Sequence, residues 1–324
     1  MVVMTYTPAH VPVLLEETTH LLGVREGGRY IDCTTGLGGH SAAIAELMGE
    51  SGELLCIDQD RDALEFARTK LTANGRRISF VLGNFRDIAS LVKVAEQEGF
   101  TDVDGILMDL GVSSMQMDQA ERGFAFGLEG PLDMRMDPAA GGLTAGEIVN
   151  SWDEGELADL FFTLGEERMS RRIARRVVQE RPLLTTWELA RAVEQAVGGV
   201  RGRSHIHPAT RVFLALRICV NGELDSLDAA LPQAHSLLGF GTDAKPGGRL
   251  AVISFHSLED RMVKQYFQHE ATGCICPPAL PVCRCNHQTT LKLVVRKGVR
   301  PTADEVARNP RARSATLRVA ERVA

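Results

Sequence analysis

The run Asp32-Cys33-Thr34-Thr35-Gly36-Leu37-Gly38-Gly39-His40 joins a short apolar segment to the helix-like stretch Ser41 to Leu47. Glycines in such a place let the backbone approach a ligand closely and leave amides free at a helix entrance. Counted from Gly36, the dinucleotide pattern G-x-G-x-x-G fails at its sixth position, which is Ser41. Asp58 closes the next apolar segment, twenty-two residues beyond Gly36. A carboxylate there can accept hydrogen bonds from both hydroxyls of a ribose, or can simply be an acid in a surface turn. Loop and acid together point to an adenosine-containing ligand, and leave both a nicotinamide dinucleotide and S-adenosylmethionine open.

Two more loops carry chemistry: Gly83-Asn84-Phe85-Arg86-Asp87 and Asp109-Leu110-Gly111-Val112-Ser113-Ser114. Phe85 can stack on an adenine or pack in the core. Asp109 can orient a cofactor or accept a hydrogen bond from an amine. Four of the seven cysteines cluster as Cys274-x-Cys276 and Cys283-x-Cys285. Four thiolates within twelve residues can hold a tetrahedral structural zinc, although C-x-C pairs are less usual than C-x-x-C, and the alternative is a loop of reduced thiols. Cys33, Cys56 and Cys219 lie in apolar runs and read as small buried hydrophobes. Arg168, Arg171, Arg172 and Arg175 follow the i, i+3, i+4, i+7 spacing of one helical face, a basic stripe suited to phosphates unless acids such as Glu166 and Glu167 neutralise it.

The elements that must position these residues follow from periodicity. Strand-length apolar runs fall at Tyr30 to Cys33, Leu54 to Ile57, Ile78 to Leu82, Val103 to Met108 and Arg249 to Phe255. Between the first four lie helix-like stretches such as Arg61 to Leu71, an alternation that implies parallel crossovers and a doubly wound α/β sheet covered on both faces. Leu291 to Arg296 and Ala315 to Ala320 read as a terminal antiparallel pair, which favours a methyltransferase over a dehydrogenase. About 140 residues separate the fourth and fifth strands, where a crossover needs only a dozen or more. Helices are expected there at Asp153 to Phe162 with Ser151 as cap, Arg168 to Val178, and Trp187 to Val197 after Thr185-Thr186. The expected organisation is a methyltransferase domain in two parts, 1–142 and 205–324, interrupted by a helical domain at 143–204.

Composition is that of an ordinary globular chain: 324 residues, 44% hydrophobic and 24% charged. There is no signal-peptide pattern and no run of eighteen apolar residues, and the cysteine count is odd, so a reduced, unanchored cytoplasmic protein is expected. The net charge of -6 is unevenly placed. Gly165 to Arg217 holds eleven arginines against five glutamates, and Thr290 to Ala324 holds nine basic residues against three acids. An acidic body with two basic segments suits local contact with a polyanion.

Seven long segments in order resemble one family, the bacterial 16S ribosomal RNA cytosine-N4 methyltransferases of the MraW type. They are HVPVLLEE from His10, DCTTGLGGHS from Asp32, MDLGVSS from Met108, ERGFAFGLEGPLDMRMDP from Glu121, HPATRVFLALRICVNGEL from His207, SFHSLEDRMVK from Ser254 and NPRARSATLRVAER from Asn309. The resemblance implies a Rossmann-like class I methyltransferase fold, S-adenosylmethionine as cofactor, and a decoding-region cytosine of 16S rRNA as target, presented within the small ribosomal subunit. It places cofactor contacts on Gly38, Gly39, His40, Asp58, Phe85, Asp109 and Gln116. Met115 stands where the family usually has proline, which is expected to loosen the loop around Gln116. The sequence offers Asp109, Ser113, Ser114 and His256 as catalytic candidates, with His256 equally readable as a structural histidine. The competing readings are a nicotinamide-dependent oxidoreductase and a catalytically silent RNA-binding factor of ribosome assembly.

Overall fold

A computed structural model describes residues 12–72, 75–95, 100, 102–198, 207–242, 245–277, 280 and 282–323. Strands β1 (Arg29–Asp32), β2 (Glu53–Asp58), β3 (Arg77–Leu82), β4 (Gly105–Asp109), β5 (Arg249–Ser254), β6 (Leu291–Leu293) and β7 (Thr316–Arg322) form one sheet in the order β3-β2-β1-β4-β5-β7-β6. The first five run parallel. Strand β7 runs antiparallel to both β5 and β6, as the terminal pattern predicts.

Alternation along each strand explains why the runs are apolar throughout. Leu54 and Cys56 of β2, Leu107 of β4, and Ala251 and Ile253 of β5 enter one core, with Leu22, Ile44, Met48 and Leu71 from the helices Leu15–Leu22, Gly39–Met48 and Arg61–Leu71. Leu55, Ile57, Ile106, Met108, Leu250 and Val252 enter a second core, with Ile88 and Val92, Leu227 and Leu231, and Val263 and Phe267. Side chains that point alternately to two covered faces leave no polar position inside the central strands, whereas the edge strand β3 exposes Arg77 and Ser79. The order reverses between β1 and β4, and open sheets of this kind bind ligands at such a switch point, outside the carboxyl ends of the strands.

The chain divides into two compact units, Met1–Gly111 with Ser226–Ala324, and Val112–Asp225. The second is wider than the span 143–204 read from the sequence, of which 199–204 lie outside the described residues. The reason is packing: Phe124, Leu132, Met134 and Met136 on one side, and Val212, Phe213 and Leu216 of the helix Ala209–Asn221 on the other, belong to the same core as Ile148, Phe161, Ile173 and Val193. Asn221 locks these segments together, donating to the Met134 carbonyl at 2.8 Å and accepting the Met136 amide at 2.8 Å.

Capping boxes start four of the described helices, at Ser113 with Gln116, Thr144 with Glu147, Asp153 with Glu156, and Thr185 with Glu188, each satisfying otherwise unpaired amides. Ser151 is therefore not a cap. It ends the helix Ala145–Ser151, and Asp153 caps Glu154–Thr163. The next helix is Ser170–Gln179, so Arg168 precedes it rather than lying on its face. Glu167 causes the late start, because its side chain accepts the Met169 amide at 2.8 Å and holds a turn there.

Gly248 sits where β5 begins beside the short bridge between Val103 and Leu238. A Cβ there would lie 2.2 Å from the Val103 carbonyl oxygen and 3.0 Å from the Gly239 nitrogen. Gly248→Ala should cost roughly 1–3 kcal/mol, the usual range for overpacking. Gly127→Ala, with open space around the added carbon, should not lower the thermal midpoint comparably. Equal midpoints for the two variants in a thermal unfolding scan would contradict the backbone clash.

Candidate active site at the carboxyl ends of the strands

Strands β1, β2 and β4 end on Asp32, Asp58 and Asp109, so parallel pairing brings three carboxylates to one edge of the sheet. The glycine loop weaves among them. Gly36 and Gly38 have φ of 51° and 71°, the left-handed region that side chains disfavour. The Gly36 amide donates to Asp58 Oδ2 at 2.7 Å, and the Asp60 amide donates to Asp58 Oδ1 at 2.8 Å. Asp32 Oδ2 accepts the Ser41 hydroxyl at 2.6 Å and its Oδ1 accepts the Thr34 amide at 3.1 Å. Thr34 Oγ1 in turn accepts the Asp109 amide at 2.6 Å, tying the loop after β1 to the end of β4.

Gly39 is required by a close approach: a Cβ there would fall 2.3 Å from Pro12 Cγ. The same contact brings the segment before the first helix against the loop, and His40 Nε2 lies 3.0 Å from the Val13 carbonyl oxygen. That bond fixes the proton on Nε2, since a carbonyl only accepts. His40 Nδ1 then faces Asp109 Oδ2 at 3.4 Å, an approach that needs a proton on one of the two. Asp109 Oδ1 is buried with no hydrogen-bond partner.

Burial pushes Asp32 and Asp58 up to about 6. It holds Asp109 well above the usual carboxylate range, helped by the charges of Asp32 and Glu259. Each carboxyl would be stabilised by a cation or by further hydrogen-bond donors. A pyrophosphate would meet three acids here, and the Gly36 amide that could bind it is already given to Asp58.

The other predicted residues fall as follows. Phe85 is half-buried and packs with the core beside Val81 and Leu91, on a short 3-10 turn capped by Asn84. Asn84 Nδ2 donates to Gln59 Oε1 at 2.9 Å, joining the loops after β3 and β2. His256 precedes the helix Ser257–Glu270, with Nε2 3.0 Å from Glu259 Oε1 and Nδ1 buried without a partner. Ser113, Ser114 and Gln116 belong to the helical unit. There Ser113 Oγ accepts the Gln116 amide at 3.2 Å, and Gln116 Oε1 accepts the Ser113 amide at 2.9 Å, a reciprocal cap on the helix Ser114–Asp118. This cap orders the turn in the place where Met115 lacks proline's fixed φ. The arginines at 168, 171, 172 and 175 are all exposed; Arg175 pairs with Glu154 at 3.3 Å. Among the described residues, no acid pairs with Arg168, Arg171 or Arg172.

Three participants were missed in the sequence reading: Asp32, Ser41 and Glu259. Asp32 had a usable signal, as an acid closing the first strand just before the glycine loop. In the glycine pattern Ser41 is only a departure, yet its hydroxyl holds Asp32. Nothing local marks Glu259, which is buried, accepts the Phe255 amide at 2.9 Å and charges the surroundings of Asp109.

Residues 7–323 match the MraW methylase family. The chain belongs to that family. It is 54% identical over 314 residues to the ribosomal RNA small subunit methyltransferase H of Dehalococcoides mccartyi strain BAV1, covering 97% of this chain and 86% of that protein. The proteins of the same name from Thermomicrobium roseum and Brevibacillus brevis are 52% and 46% identical, each alignment spanning 97% of this chain and 94% and 98% of theirs. Membership in a methylase family sets the oxidoreductase reading aside, in agreement with the acidic edge.

The raised carboxyls have a consequence for stability. In the folded chain they keep protons that the unfolded chain loses above about pH 4, so their contribution falls as pH rises through about 6 and beyond. Asp109→Asn removes one such group. The thermal midpoint of the variant minus that of the wild type should therefore increase from pH 4 to pH 8 at fixed ionic strength. A difference that stays constant or shrinks would mean that Asp109 is ionised without penalty in the folded state.

Proposed function

We propose that this methylase transfers the methyl group of S-adenosylmethionine to the exocyclic N4 of a cytosine in the decoding region of bacterial 16S rRNA, within the small ribosomal subunit. The observation that carries the proposal is the set of desolvated carboxylates at the ends of β1, β2 and β4. Such a set suits a ligand with hydroxyl donors and positive charge. The names of the relatives supply the substrate, small-subunit ribosomal RNA.

The cofactor supplies an electrophilic methyl on a sulfonium. The protein's own residues position and exchange protons. Asp58, held by two amides, keeps lone pairs for the ribose hydroxyls. Gly38, Gly39 and His40 shape the loop, and Phe85 lines the next turn for the adenine. Asp109 Oδ1, buried and unpartnered, is set to accept an N–H. The N4 of cytosine must lose a proton as its new bond forms, and the carboxyl shared with His40 accepts it only once ionised, a form that burial makes more basic. His256, next to Glu259, is a second candidate on the same side of the sheet edge. Ser113 and Gln116 are occupied with each other, so their part is to shape the turn that carries Ser114. Exposed Arg168, Arg171 and Arg172 are offered to the RNA backbone, with Arg175 partly neutralised by Glu154.

A deletion strain should lose one methyl group on a cytosine base of its 16S rRNA by mass spectrometry; an unchanged modification profile would overturn the assignment. Calorimetry separates the enzyme from a silent assembly factor, which would bind no S-adenosylmethionine. In the same assay Asp58→Ala should weaken binding by roughly 1.5–3 kcal/mol, the range for a hydrogen bond to a charged group, with circular dichroism unchanged. Wild-type affinity in the folded variant would remove the ribose role.

A charge reversal tests the RNA face. Arg171→Glu with Arg172→Glu should weaken binding to the small-subunit substrate and flatten its salt dependence, because fewer counterions are released. Affinity for S-adenosylmethionine should not change. If substrate affinity and salt slope both match wild type, these arginines form a solvated face and the RNA docks elsewhere.

A further inference from the structure

Among the described residues, the segment between the helix Ser257–Glu270 and β6 has no apolar core of its own. None of its described residues from Ala271 to Thr289 is buried, and Ile275, Leu280 and Val282 are exposed. Its base is tied: the Thr290 amide donates to the Glu270 carbonyl at 2.9 Å, and the Thr290 hydroxyl to Glu270 Oε2 at 2.6 Å. His287 Nε2 lies 3.0 Å from the His269 carbonyl oxygen. Ordering the residues beyond that base costs backbone entropy that burial does not offset.

Four sulfurs meet inside this loop. Cys274 Sγ and Cys283 Sγ are 3.5 Å apart, Cys283 and Cys285 3.5 Å, Cys276 and Cys283 4.0 Å, and Cys285 and Cys274 4.0 Å. All four sulfurs lie within 4.8 Å of one another. A disulfide would need about 2.05 Å. A zinc ion with four sulfurs at its usual bond length of about 2.3 Å forms a tetrahedron whose edges are about 3.8 Å. The observed separations bracket that edge. The two C-x-C pairs each supply two corners, and the Arg284 amide donates to Cys276 Sγ at 3.3 Å. Backbone amides of Ile275 and His287 also reach Cys285. Amide donors of this kind stabilise thiolates and fix their orientation at a metal.

We propose that Cys274, Cys276, Cys283 and Cys285 form a tetrathiolate site for one structural zinc ion. The four thiols release their protons to solvent on binding, with no change of oxidation state. All four coordination positions are filled by the protein, so the ion has no open position for chemistry. Its role is to hold the loop that links the far end of the helix Ser257–Glu270 to β6. The inference does not depend on the identity of the methylated base.

The full chain, purified under reducing conditions without chelator, should carry about one zinc per chain. After stripping with a chelator, Co2+ should restore an equal stoichiometry with the visible absorption of a tetrahedral thiolate complex. Four cysteines should be protected from alkylation in the zinc form and reactive in the stripped form. The stripped protein should unfold at a lower temperature while retaining its affinity for S-adenosylmethionine. Cys276→Ser with Cys283→Ser should lose the bound metal, whereas Cys219→Ser should keep it. The cobalt titration of the wild-type chain stands whether or not the double variant folds. A stripped chain that takes up neither Zn2+ nor Co2+, with the four thiols equally reactive throughout, would overturn the site. Stoichiometric iron, or a disulfide within the cluster, would overturn the assignment to zinc.

Discussion

The structure depends on keeping carboxylates at a place where water is scarce. Asp32, Asp58 and Asp109 end three adjacent parallel strands, and burial alone would drive each towards its protonated form. Loop amides and the Ser41 hydroxyl offset part of that cost at Asp32 and Asp58, while one oxygen of Asp109 is left without a partner. An incompletely satisfied acid at a sheet edge is a stability liability that a ligand can relieve. This is the usual relation between a functional site and the fold that supports it.

Other features of the first unit serve that edge. Parallel pairing aligns the strand ends, which requires helical crossovers, which in turn cover both faces and make the interior of the central strands apolar. Gly36 and Gly38 let the loop fold back so that an amide reaches Asp58, and Gly39 admits Pro12. His40 then spans from Val13 to Asp109. The antiparallel β7 extends the sheet beyond β5 and brings Arg318 against Asp260, at 2.7 Å, on the helix that follows His256.

The helical unit shows where sequence reasoning stops short. Capping boxes are legible, because a Thr or Asp three residues before a Glu is a local pattern, and the helix Thr186–Val197 begins one residue before the expected Trp187. At Ser151 and Arg168 the residue type suits the expected role but the chain places it in a different turn. A neighbouring acid, Asp153 or Glu167, makes the better bond to the chain and moves the boundary. The unit's limits were narrower in the sequence because Phe124, Met134 and Phe213 belong to its core through packing across long separations, which no local periodicity records.

The sequence by itself determined what is encoded among near neighbours: the order of strands and helices, the glycine loop, an acid twenty-two residues after Gly36, and two C-x-C pairs. Each of these has a physical signature within a few residues or at a fixed repeat. Tertiary structure alone decided which of them meet. It gave His40 a carbonyl on one side and Asp109 on the other, brought the buried charge of Glu259 to bear on Asp109, and brought the four sulfurs to metal-binding separations. Those outcomes depend on distances between distant segments, set by how the two cores and the loop bases pack.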